Sequence, residues 1–142
     1  MGTKVYGYRR MEGSVTMTDN ATVSDGGGWI ESSGGGIAAT NGIVWGYDFV
    51  WGSIRVPTGW VAADVAYLAS ETIGGTYTLV YTAAGALARS VVGSTTVPIW
   101  IAIPDEVFRC GPFWKIQSTN VASTATVSQT GGPLTLSLLL GC

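Results

Sequence analysis

A chain of 142 residues, 46% hydrophobic and 11% charged with a formal net charge of −2, can bury one continuous core. It has too little charge to cover itself as an ordinary soluble monomer does. The balance excludes a basic face for phosphate backbones, and the absence of histidine removes Ser-His-Asp and Cys-His catalysis in their usual forms.

Disordered chains are poor in apolar residues and rich in net charge, and this one is the reverse. It is expected to fold and to hide part of its surface against partners. The shortage of charge is uneven: Arg89 is the only charged residue between Thr72 and Pro104, and none follows Ile116.

In chain order, the opening MGTKVYGYRRMEG has no continuous apolar stretch of the secretory kind, so cytoplasmic synthesis without export by that route is expected. Lys4, Arg9 and Arg10 read as a solvated cationic arm. Two glycine clusters follow at 26–28 and 34–36. Neither has the GK[ST] ending of a phosphate-cradling loop, and their backbone freedom suggests an extended glycine-rich N-terminal arm or hairpin layer over residues 1–50. The sandwich core is assigned to 51–142, with the whole chain as one folded unit.

Strand signals then recur at 14–18 (SVTMT), 42–56, 64–70 (DVAYLAS), 76–81 (TYTLVY), 89–92 (RSVV), 97–103 (VPIWIAI), 113–118 (FWKIQS) and 134–140 (LTLSLLL). Trp45, Tyr47, Phe49 and Trp51 share one face if 42–56 is unbroken, which makes that odd-numbered row the best candidate for a buried seam. Tyr77, Leu79 and Tyr81 are expected to face inward. Both faces of VPIWIAI are apolar, so it is either a central strand or one covered from outside by another subunit. After it, Pro104 followed by Asp105 and Glu106 suggests a single helical or 3₁₀ turn. Short strands separated by turn signals give an all-β antiparallel β-sandwich, jelly-roll-like in form.

Chemistry is hard to place on this chain. Its nine carboxylates offer no spacing that singles out a glycosidase-like pair, and Asp105 with Glu106 read as helix-start charges. Cys110 and Cys142 are too few for zinc; they read as free thiols, with a disulfide between them left open. No cofactor, nucleic acid or membrane partner is expected, since no run approaches the roughly 18 apolar residues that span a bilayer. The six tryptophans suit cores, subunit contacts and sugar platforms alike. The candidate interface set is Tyr6, Tyr8, Arg9, Arg10, Trp29, Trp45, Trp51, Trp60 and Trp100.

From Ser53 onward an ordered series of segments is present: SIRVPTGWVAADVAYLAS at 53–70, GGTYTLVY at 74–81, IAIPDEVFRCGPFWKIQSTN at 101–120 and QTGGPLTLSLLL at 129–140. This order resembles a family of small tailed-bacteriophage virion proteins of β-sandwich type. The resemblance implies a non-enzymatic virion subunit: a capsid decoration or cement protein, or an accessory one. Such a subunit would form a homo-oligomer, for example a trimer, and pack on the major capsid protein or other virion proteins. A tail or neck structural protein is one alternative. A carbohydrate-binding or receptor-binding sandwich module is another, motivated by the tryptophans.

Overall fold

The computed structural model of the chain describes residues 10–18, 22–31, 36–37, 42–45 and 49–141. Its strands are β1 (Arg10–Met17), β2 (Gly26–Glu31), β3 (Gly36–Ile37), β4 (Val44–Trp45), β5 (Trp51–Val56), β6 (Asp64–Ser70), β7 (Thr78–Leu79), β8 (Arg89–Ser90), β9 (Ile99–Ala102), β10 (Phe113–Thr119) and β11 (Leu134–Gly141). One sheet has the order β3-β2-β1-β11-β5-β9; the other runs β4-β10-β6-β7, with β8 also paired to β6. Neighbouring strands are antiparallel throughout. The fold is an all-β antiparallel sandwich.

Period-two patterning builds the core. In β11, Leu134, Leu136, Leu138 and Leu140 are buried while Thr135 is exposed, so one face of LTLSLLL supplies the centre of the first sheet. Val15 and Met17 of β1 lie opposite Leu136 and Leu134, and Ile54 of β5 lies opposite Leu138. The second sheet answers with Val65, Tyr67 and Ala69 from β6 and Trp114 and Ile116 from β10, all in one apolar cluster. Tyr67 and Phe108 each meet the Trp114 ring edge-on, at centroid distances of 6.1 and 5.5 Å.

The pairing is nested. β6 pairs with β7 and β8, β5 with β9, β4 with β10 and β1 with β11, so the chain doubles back on itself. The cross-pairs β10·β6 and β11·β5 then roll this doubled ribbon into two layers.

Residues before 50 are woven into both layers. β1 and β2 form a hairpin in which Gly26 and Gly28 lie opposite Thr16 and Ser14, so this glycine cluster is strand. Between the two strands, the Ser24 amide donates to the Ile116 carbonyl and the Ser24 hydroxyl to the Gly42 carbonyl, both at 2.8 Å. Gly42 has φ +69°, and a Cβ there would run into the Ser24 main chain; only glycine admits this approach.

Three expectations need correction. Residues 42–56 do not form one strand: β4 lies in the second sheet and β5 in the first, with the strand-poor pair Gly46 and Asp48 between them. Phe49 is 4% exposed and Trp51 41%, so the odd-numbered row is not one buried seam. At 76–81 the inward residue is Val80, at 3% exposure, whereas Tyr81 is 46% exposed. Tyr77 keeps its hydroxyl outside, donating to the Ile73 carbonyl, with Lys115 Nζ 5.0 Å from its ring centroid; a phenol has a polar end to satisfy and Val80 has none. Third, β9 is the edge of its sheet and not a central strand. The segment after Pro104 is the expected 3₁₀ turn, Asp105–Arg109, with Val107 buried.

Two buried polar groups fasten the loops. Asp64, 1% exposed, accepts from the Val92 and Gly93 amides at 2.9 Å and from Arg89 at 3.1 Å. Arg89 also donates to the carbonyls of Asn120, Val121 and Ser123. Gln129, fully buried, bonds both the amide and the carbonyl of Val61 and the Ser118 hydroxyl. Each satisfies main-chain groups that the short strands leave unpaired.

Candidate functional site

Alternation in β5 turns Gly52, Ile54 and Val56 into the core and leaves Trp51, Ser53 and Arg55 on the outside. The Ile103 amide donates to the Gly52 carbonyl, which fixes the hydrogen-bonding phase of the β5·β9 ladder. Ile54 and Ile101 are therefore a hydrogen-bonded pair, whereas Arg55 and Trp100 face each other across a non-hydrogen-bonded one. Cβ atoms in such a pair sit about 4.5–5.5 Å apart. Trp100 and Ala102 accordingly turn their main-chain groups to the open side, where the Ser90 hydroxyl donates to the Ala102 carbonyl at 2.7 Å.

The outer face of the first sheet follows in rows. Ser137, Arg55 and Trp100 form one; Leu139, Ser53 and Ala102 form the next; Gly141 and Trp51 form the third. The small residues Ser53 and Ala102 make a low floor between the two indoles. Trp51 and Trp100 are 41% and 53% exposed, a large apolar area for a molecule to leave uncovered. The Trp51 indole fills the space beside Gly141, where a Cβ would fall within its ring; the glycine lets the ring lie against β11. Arg55, half-buried beside Trp100 in the first of these rows, has no hydrogen-bond or ion-pair partner among the described residues.

Of the remaining predicted site residues only Arg10 shares a row with this face, by register opposite Gly141 in the Trp51 row. Trp60 is 8% exposed and donates to the Ala63 carbonyl at 3.0 Å, so it packs in the core cluster. Arg10 lies opposite Gly141 in β1, Trp29 opposite Gly13 in β2 and Trp45 opposite Phe113 in β4. Tyr6, Tyr8, Arg9 and Cys142 lie outside the described residues. Arg55 was missed by the sequence reading, although the alternation of WGSIRV carries its orientation once the strand is taken to start at Trp51.

Elsewhere, Ser70, Glu71, Thr72, Gly75, Thr76 and Cys110 border a shallow recess of about 380 Å³. Cys110 is an exposed free thiol. Among the described residues no three His, Cys, Asp or Glu side chains gather where a metal could be held, and no helix is long and apolar enough to cross a membrane. The Tyr67 hydroxyl is buried against Ser90 at 2.7 Å. Its pKa is driven above the ordinary tyrosine range by burial, which the Ser90 hydrogen bond only partly offsets.

No protein-family model matches the chain, and no curated protein or solved structure matches it either.

Proposed function

We propose that this chain is a non-enzymatic assembly subunit, most simply a decoration, cement or accessory protein of a tailed-phage particle, that packs through the outer face of its six-stranded sheet. The observation that carries the reading is the pair of exposed indoles, Trp51 and Trp100, on one sheet face, with Arg55 beside Trp100 and without a partner among the described residues. Tryptophan and arginine are the residue types that anchor protein interfaces. The scarcity of charge over 73–103 and 117–142 supports the same role, and the nested strand order supports the jelly-roll form of the sandwich. The virion setting rests on the resemblance of residues 53–140. The test is co-sedimentation of the purified chain with particles of the phage that encodes it. Saturable binding weakened by Trp100→Ala is expected, and failure to bind at any input would overturn the reading.

The same exposed rings favour one second reading, a carbohydrate-binding or receptor-binding module, because flat indole faces stack on sugar rings. Saturable glycan-array binding lost with Trp51→Ala or Trp100→Ala would select it. Silence on the array would remove it.

A further inference from the structure

We propose that the Trp100–Arg55 face takes a second copy of this chain, whose Asp105 and Glu106 supply the acidic partner that Arg55 lacks. The inference rests on the assembly reading and names one contact within it. Arg55 is half-buried and has no partner among the described residues. A half-buried cation beside an exposed indole is complemented by a carboxylate. Among the carboxylates whose side chains the structure describes, Asp64 is consumed by Arg89 and Asp25 accepts from Thr18, while Glu12 already has an interaction. Glu71 lines the recess beside Cys110, at the far end of β6 in the other sheet. Asp105 and Glu106 are adjacent, exposed and half-exposed respectively, and without a partner side chain among the described residues.

Both halves of the contact are placed by β9, one by the strand opposite it and one by the turn that follows it. Arg55 stands opposite Trp100 at the start of β9, and the acidic pair begins just past its end, after Ile103 and Pro104. A two-fold axis near the Ser53–Ala102 floor therefore forms the contact twice, with each copy giving both a cation and an acidic pair. The floor is low enough to admit the partner's side chains between Trp51 and Trp100.

Sedimentation equilibrium of the full chain tests this through a charge swap. Wild type is expected to self-associate, more weakly at high salt. Arg55→Glu and the double variant Asp105→Lys, Glu106→Lys are each expected to raise the dissociation constant by about a hundredfold, since like charges then face each other. Mixing these two variants restores association, because the glutamate introduced in one meets the lysine pair of the other, while the Arg55 kept by the second meets the acidic pair kept by the first. Trp100→Ala, which leaves the charges alone, weakens association as well. A monomeric wild type, unchanged association in Arg55→Glu, or no recovery on mixing would each overturn the contact, with circular dichroism verifying that the variants fold. Particle co-sedimentation of the same variants separates the two claims: a monomer that still binds particles removes only the self-contact, and a dimer that does not bind removes the assembly role.

Discussion

Replacing Asp64 by alanine tests whether the buried clamp, and not the apolar core alone, holds the loops of the second sheet. In the wild type Oδ1 receives two amides, Val92 and Gly93, and Oδ2 receives Arg89. Alanine leaves the Val92 amide buried without an acceptor and the Gly93 amide partly so, at about 1–3 kcal/mol per stranded donor. Arg89 still holds three loop carbonyls and its side chain is 18% exposed, so its share of the loss is the smaller one. The total is about 3–5 kcal/mol, a large fraction of the roughly 5–15 kcal/mol that stabilises a domain. Urea unfolding followed by tryptophan emission reads this directly, and the melting temperature should fall by roughly 10–15 °C. Asp64→Asn keeps an acceptor at Oδ1 and is expected to cost about 1–2 kcal/mol. An alanine variant within about 1 kcal/mol of wild type, or an asparagine variant as damaged as alanine, would refute this account of the clamp.

Gly141→Ala places a methyl inside the volume of the Trp51 ring; expelling the indole should cost about 1–3 kcal/mol in urea unfolding and shift Trp51 emission toward the red. Tyr67 binds its proton more tightly when folded than when unfolded, so its contribution is intact below the ordinary tyrosine pKa near 10 and is lost as pH rises beyond it. Stability above about pH 10 should therefore fall more steeply in wild type than in Tyr67→Phe, measured by urea midpoints across the alkaline range; equal slopes would contradict the burial. Acrylamide should quench Trp100 strongly and Trp60 and Trp114 hardly at all, so Trp100→Phe removes more quenchable emission than Trp114→Phe does. The Trp114 indole N–H is buried without an acceptor among the described residues, so Trp114→Phe should cost less than the loss of volume alone suggests, because a stranded donor is removed with the ring edge.

Much of the architecture was legible because runs rich in β-branched, aromatic and aliphatic residues between turn signals mark strands, with period-two alternation added in LTLSLLL. LTLSLLL, FWKIQS and DVAYLAS each announce a strand, and Pro104 with its two acidic followers announces the turn. Sheet membership was less legible. Nothing local tells that Trp45 and Trp51 belong to different layers, because a change of sheet is decided by long-range pairing such as Trp45 with Phe113 and Trp51 with Gly141. The tyrosines of TYTLVY misled for a related reason: aromatic rings score as core, and their hydroxyls can hold them at the surface. For the candidate site, the tryptophans stood out as residue types, but nothing local separates Trp100, outside on the edge strand β9, from Trp60, packed inside from the loop between β5 and β6. Arg55 stayed hidden because a lone arginine in a strand signals nothing until its cross-strand neighbours are known.

The nested pairing also sets an order of assembly in time. The β6 ladder with β7 and β8 closes only short loops, whereas Arg10 meeting Gly141 joins nearly the whole described length of the chain. Closure entropy rises with loop length, so zipping from the middle outward meets the smallest barrier at each step, and the β1·β11 ladder should close last. That ladder contributes Leu134, Leu136 and Leu138 to the core. Until it forms, these leucines stand on an open edge, and during that interval a newly made chain is most exposed to pairing with the wrong neighbour.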